Sequence, residues 1–174
     1  MAFSLPADLA TNWADNVGMI ENAAYLNAVG AMNNSIKAAL LGTVNGTATA
    51  LVTTSETTTS TSYADLATTT DTVTVTIGAS GMALVLLYAA IGNNTAGSIS
   101  YVSFAVSGAN TIAAADNSSL SFQIASGAGN AGACGSPFFL TGLATGSTTF
   151  KMKYRVSGTT GNFSNRRIAV IPFF

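Results

Sequence analysis

The segment from Thr149 to Val156 alternates strictly between two kinds of side chain. The apolar set is Phe150, Met152, Tyr154 and Val156, and the polar set is Thr149, Lys151, Lys153 and Arg155. A period of two is the pattern of a β-strand with one buried face. The chain must therefore build a sheet and place a core on the apolar side of this strand.

The last segment, from Arg167 to Phe173, is apolar on both sides of its predicted strand. Ile168 and Val170 would point one way, and Ala169, Ile171 and Phe173 the other. A strand with two apolar faces needs a covering layer on each. That layer comes either from the chain's own sandwich or from a neighbouring subunit.

Several further short segments have strand patterns and are separated by turn residues. They are Thr72–Ile77, with Val73, Val75 and Ile77 inward, then Ala83–Ile91, Ile99–Val106, Leu120–Ile124 and Phe138–Leu140. The total of eight or nine strands fits two packed antiparallel sheets. We expect a mainly β protein, a jelly-roll-like antiparallel β-sandwich with an N-terminal α-helical attachment segment.

A helical pattern from about Asn22 to Leu41 precedes the strands, and Gly42 is expected to end the helix. Two interpretations remain open: the helix packs on its own β-domain, or it associates with sister helices or docks on a larger assembly. The residues predicted to attach the chain to a partner are Trp13, Tyr25, Leu26, Val29, Ile36 and Leu40.

Changes in composition divide the chain into three parts. Residues 1–42 form the attachment segment, 43–62 a Thr/Ser-rich linker and 63–174 the β-sandwich domain. Residues 53–62 are Ser or Thr apart from Glu56, and β-branched threonines favour extended chain. This tract is therefore either a linker or an edge strand.

Charge and residue content exclude several kinds of function. Net charge is −1, so general nucleic-acid binding has no electrostatic basis. The sequence has no histidine, and its acids Glu56, Asp65, Asp71 and Asp116 are isolated along the chain. We therefore expect no catalysis, no cofactor and no metal. The longest apolar run, Met82 to Ile91, is too short for a membrane helix.

A glycine-rich motif and a single cysteine carry little functional information. Gly127 to Gly132 matches G-x-G-x-x-G, but no acid follows it, as a dinucleotide site would need. We interpret it as a flexible loop. Cys134, which we place in the same loop, has no neighbouring base or cation and is expected to fill space.

The polar set of the first strand contains three cations in a row. Side chains on one face of a strand repeat every 6.6–6.8 Å or so, so Lys151, Lys153 and Arg155 form a basic stripe. The stripe either faces solvent or contacts an acidic partner surface, whether a subunit, a capsid lattice or a glycan.

Two groups of motifs resemble those of phage structural proteins. Near the N-terminus, Trp13-Ala14-Asp15 and Ala23-Ala24-Tyr25-Leu26-Asn27 resemble a segment common in minor structural proteins. The Ser62–Leu66 start and the ending from Thr141 to Pro172, with its Asn165-Arg166-Arg167-Ile168, are similar to β-domains of actinobacteriophage virion accessory and minor tail proteins.

This resemblance implies a homotrimeric β-domain on a virion surface and no catalytic residues. Tail fibres of this kind usually carry a long shaft, which this chain lacks, so the resemblance favours a capsid decoration or head-fibre protein. The alternatives are a minor tail or receptor-binding protein that contacts the host surface or its glycans, and a non-viral adhesin or lectin-like module. The expected partners are further copies of the chain and other capsid or tail proteins. No signal peptide is evident at the start, so synthesis is expected in the bacterial host cytoplasm.

Overall fold

The structure, a computed structural model, describes residues 23–124 and 131–174, which fold into one α-helix followed by nine strands, with a short 3-10 helix at Asp116–Ser118. Trp13, with the rest of the attachment segment up to Asn22, lies outside that part, as do residues 127–130 of the glycine-rich motif. The elements are α1 (Ala23–Gly46), β1 (Ala48–Val52), β2 (Glu56–Thr58), β3 (Thr72–Ile77), β4 (Ala83–Asn93), β5 (Ile99–Gly108), β6 (Leu120–Gln123), β7 (Ala131–Leu140), β8 (Gly146–Val156) and β9 (Gly161–Pro172).

The strands form two sheets with the nested pairing of a jelly roll. The first sheet has the order β1-β9-β4-β7, with β2 also paired to β9, and the second has the order β3-β8-β5-β6. The antiparallel pairs β1·β9, β3·β8, β4·β7 and β5·β6 lie one inside the next along the chain. One long antiparallel ribbon is thus wrapped into two layers, which confirms the predicted fold class.

The core lies between the sheets and contains the inward sets that the alternation predicted. Val73, Val75 and Ile77 of β3 are buried, and so are the four apolar residues of β8. They meet side chains from β4, β5 and β9, which include Val85, Leu87, Val102, Phe104, Phe163, Ile168 and Val170. The period of two in the sequence therefore identifies the buried face correctly.

The structure corrects the linker assigned to residues 43–62. Ala48–Val52 and Glu56–Thr58 both pair with β9, so the tract supplies an edge of the first sheet. Of the two alternatives for the Ser/Thr tract, the edge strand is the one observed. Threonine suits this position because its branched side chain favours extended backbone while its hydroxyl tolerates solvent.

The region around Cys134 is also a strand and not a loop. The observed β7 begins at Ala131 and pairs with β4 along its full length, whereas the sequence predicted only Phe138–Leu140. Cys134 is half-buried and packs against the core, as its space-filling interpretation required. Burial raises the pKa of its thiol.

The helix continues past Gly42, where the sequence predicted its end, as far as Gly46. A Cβ placed on Gly42 would lie 2.5 Å from the ring of Phe174, and one on Gly46 would lie 3.3 Å from the same ring. These glycines therefore allow the last turns of α1 to approach the end of β9 closely, and Gly42 does not stop the helix.

A bulge in β9 turns Arg166 into the core. Between Tyr88 and Ala90 of β4 the opposing strand runs from Arg167 to Ser164, one residue more than β4 provides. The extra residue is accommodated at Asn165, whose φ is 49°. The inward set consequently includes Arg166 as well as Phe163, and the Arg166 side chain has no exposed surface.

The buried Arg166 is held by two carboxylates. Its Nη2 lies 2.7 Å from Glu56 Oε2, an ion pair whose angles are not those of a hydrogen bond, and its Nη1 donates to Asp71 Oδ2 at 3.3 Å. The Tyr154 hydroxyl also donates to Asp71. The backbone N–H and the hydroxyl of Thr68 donate to Glu56 Oε1 at 2.9 and 2.7 Å. We call these five residues the buried charge network.

The two carboxylates of the network differ in pKa. Burial raises the pKa of Glu56, but the hydrogen bonds from Thr68 and the charge of Arg166 outweigh it and hold the pKa below its ordinary value. Burial also raises the pKa of Asp71, and there it prevails over Tyr154 and Arg166. Glu56 is therefore the acid whose ionised form stabilises the fold.

We expect the stability of Glu56→Gln to decline less in acid than that of the wild type. Because the folded pKa of Glu56 lies below its ordinary value of 4.5, its stabilising contribution is complete above that value and is lost as pH falls through the folded pKa. Urea unfolding from about pH 3 to 6 should show a smaller decline in unfolding free energy for the variant than for the wild type. Equal declines would contradict the assignment.

A candidate interaction surface

The outer face of the first sheet is apolar over most of its width. Side chains that point away from the core come from four adjacent strands and lie beside one another in the sheet register. This surface, the apolar face, comprises Leu51, Leu84, Leu86, Tyr88, Pro137, Phe139, Ala169, Ile171 and Phe173. Arg167 is the one charged strand residue on it in the part of the chain described.

The outer face of the second sheet has the opposite character. Its outward side chains include Thr72, Thr74 and Thr76 of β3, and Thr149 with the basic stripe of β8. Such a face is well solvated, as expected for a sheet with one side in water. Of the two outer faces, only that of the first sheet is therefore predominantly apolar.

Large side chains on the apolar face remain exposed. The exposed fractions are 58% for Phe139, 48% for Leu51, 41% for Tyr88 and 37% for Leu86. The rings of Phe139 and Phe173 meet with centroids 5.9 Å apart. A contiguous apolar patch of this kind on a folded chain is typical of a surface that binds another protein.

The sequence only partly predicted which residues would be available for subunit contact. Because both are strongly apolar, the segment Ile168–Phe174 and the pair Phe138-Phe139 are the parts of the sequence predicted to lie between subunits. Ile168, Val170 and Phe138 point inward, where Phe138 meets Phe104 with ring centroids 5.7 Å apart. The members that lie on the apolar face are Phe139, Ala169, Ile171 and Phe173.

A second exposed apolar stripe runs along α1. Tyr25 and Ile36 are exposed by 67% and 60%, and Met32, Leu40 and Val44 are also exposed. Of the predicted attachment residues, Leu26 and Val29 are half-buried instead. Met32 and Val44 were missed, although their spacing of four from Ile36 and Leu40 places them on the same side. Contact with the sandwich involves the last turns, where Gly42 and Gly46 approach Phe174.

The basic stripe is paired with acids of the same chain. Asp65 accepts hydrogen bonds at 2.7 Å from both Lys151 and Lys153. Asp116 accepts from Arg155, and the Arg155 guanidinium lies 3.8 Å from the centroid of the Tyr101 ring. Asp65 and Asp116, which are isolated along the sequence, are therefore neighbours of cations in space.

These contacts also fix the charge state of the two acids. Burial raises the pKa of Asp65, but the hydrogen bonds from Lys151 and Lys153 outweigh it and hold the pKa below its ordinary value. The hydrogen bonds from Arg155 and Tyr63 lower the pKa of Asp116. Two carboxylates thus offset three cations, which leaves little charge for an acidic partner.

We expect replacement of Lys151, Lys153 and Arg155 by Ser to leave association with particles unchanged. Their charges are already matched within the chain, and exposed ion pairs contribute about 0–1 kcal/mol. Binding to particles should be compared at low and high salt, with Asp65→Asn/Asp116→Asn as the control that leaves the cations unmatched. A salt-sensitive loss of binding in the triple variant would instead show that the stripe contacts an acidic surface.

Within residues 23–124 and 131–174, no three acidic, cysteine or histidine side chains lie together as a metal site would need. No helix in those ranges is both long and apolar enough to cross a membrane.

No protein-family model and no curated protein sequence matches the chain. Among solved structures, a mutant VP2 protein of infectious bursal disease virus, from derived T=1 particles, matches with a TM-score of 0.52 and 9% identity. The match covers 73% of this chain and 31% of that one, so the chain spans about a third of its length. A TNF protein, Eiger from S. frugiperda, matches with a TM-score of 0.46 and 12% identity over 74% of this chain and 94% of that one. At this identity the VP2 match is one of fold, and the fold is the jelly roll described above.

Proposed function

We propose that the chain is a non-enzymatic structural protein of a phage virion, displayed on the particle surface as a trimeric capsid decoration or head fibre. The observation that carries this proposal is the apolar face. Phe139, which is 58% exposed and meets Phe173 on this face, is too exposed for a chain that acts alone in water, whereas a second subunit would cover it.

Other features agree with this role. The sequence has no histidine, and the four acids of the described part are engaged with cations, which leaves no free carboxylate pair for general acid–base work. The motif resemblance points to actinobacteriophage accessory proteins, and the VP2 chain of the same fold comes from virus particles. These points support a structural role, and the apolar face supports self-association in it.

Particles of the encoding phage provide the test of this function. After gradient purification they should contain the chain in a fixed ratio to the major capsid protein. Its absence from infectious particles would refute a virion role. Its presence only in detached tails would favour the alternative, a minor tail or receptor-binding protein.

We expect α1 to attach the body to the particle. A fragment of residues 47–174 keeps all nine strands and should remain soluble, folded and oligomeric, yet fail to bind particles that lack the native protein. Each exposed apolar side chain of α1 that a partner buries contributes about 1.5–3 kcal/mol before ordering costs, so the loss should be large.

Point variants separate this role from a general loss of the helix. In the full chain, Ile36→Ser with Leu40→Ser should weaken particle binding, while Ala38→Ser, also exposed on α1, should not. Undiminished binding by residues 47–174 would place the attachment surface on the sandwich instead.

A further inference from the structure

A groove crosses one end of the apolar face, with a small residue at its floor and a cation at its rim. Ala169 lies opposite Thr49 of β1 and Leu86 of β4, and Arg167 lies opposite Leu51 and Tyr88. Because Ala169 is short, the larger neighbours leave an open depression of about 550 Å³.

Arg167 differs from the other cations of the sandwich. Lys151 and Lys153 pair with Asp65, Arg155 pairs with Asp116, and Arg166 pairs with Glu56 and Asp71. Arg167 is exposed and has no acidic partner within residues 23–124 and 131–174. Its charge is therefore available at the edge of an apolar surface.

A second sandwich cannot readily neutralise this charge. Every acid of the described part already contacts a cation of its own chain. If the same groove of another copy covered Arg167, two guanidinium groups would be brought together without a counter-ion, which is unfavourable. An occupant of this end of the face must bring its own carboxylate.

We propose that the groove binds a segment of a different polypeptide in which a carboxylate side chain neighbours an apolar one. The carboxylate meets Arg167, whose planar guanidinium suits bidentate pairing, and the apolar side chain enters between Leu51 and Leu86 above Ala169. That this partner is another virion protein rests on the proposed function, whereas the chemistry of the groove does not. Contact between subunits then involves the other end of the apolar face, around Phe139 and Phe173.

The test uses the full-length protein and two dye-labelled peptides of equal length, one alternating Leu with Asp and the other Leu with Asn. Fluorescence anisotropy should show tighter binding of the Asp peptide, with a preference that declines as salt increases. Arg167→Gln should remove the preference by weakening the Asp peptide about fivefold. Ala169→Leu, which fills the groove, should weaken both peptides.

The control is Ser107→Glu, which changes net charge by the same amount on the outer face of the second sheet and should leave binding unchanged. Equal binding of the two peptides, or none at millimolar concentration, would overturn the proposal. A fall in oligomer mass of Arg167→Gln would also overturn it, because the occupant would then be a second copy. Absence of the chain from purified particles would refute the proposed function but leave the peptide results standing.

Discussion

Arg166→Met should lower the free energy of unfolding by about 3–5 kcal/mol, the typical cost of removing one partner from a buried ion pair. The side chain of Arg166 has no exposed surface, and those of Glu56 and Asp71 are exposed by only 13% and 2%. Without the guanidinium, two carboxylates remain close together in the core with only Thr68 and Tyr154 to satisfy them. Urea unfolding at a fixed protein concentration measures the effect.

Arg167→Met is the matched control, since it makes the same chemical change one residue further along β9 at an exposed position. We expect a change within about 0.5 kcal/mol. The combination of Arg166→Met with Glu56→Gln and Asp71→Asn should regain part of the loss, because it no longer leaves unpaired charges in the core. Similar stability of the two single variants would show that Arg166 does not hold the network.

The second large effect concerns the apolar face. The wild-type protein should have a solution mass of about three chains at micromolar concentration, and Phe139→Asp should reduce it to one. The variant removes an apolar contact of about 1.5–3 kcal/mol and would bury a carboxylate in the same interface. Together these effects exceed the few kcal/mol that separate an assembled from a dissociated subunit at such concentrations.

Ser107→Asp, on the polar outer face of the second sheet, should leave the mass at three chains. Circular dichroism and thermal unfolding should show that Phe139→Asp remains folded, since Phe139 lies outside the core. A monomeric wild type would contradict the assignment of the apolar face to self-association, and so would a Phe139→Asp variant that stays trimeric.

The sequence predicted those parts of the fold in which local pattern and burial coincide. Alternation places β3 and β8 with the correct inward residues, and the two apolar sides of β9 anticipate the exposed surface of the first sheet. In each case the apolar or polar character of successive side chains indicates which face of the strand is buried.

Elements stabilised by distant partners were not predictable in the same way. The first half of β7, from Ala131 to Gly135, contains only Ala, Gly and the single Cys134, so its sequence carries little strand preference. It forms because β4 offers a full edge to pair with. Arg166 and Arg167 look alike in the sequence, and only the bulge at Asn165 determines that the first is buried and the second exposed. The pairs Lys151–Asp65 and Arg155–Asp116 join residues 86 and 39 positions apart, a separation at which sequence spacing says nothing about contact.

Electron microscopy of intact particles tests the central claim most directly. We expect density on the outer surface of the capsid that fits three copies of the jelly roll, with their apolar faces turned toward one another at Phe139 and α1 directed at the shell. Particles without such density, or with the chain only at the tail, would contradict a trimeric capsid decoration.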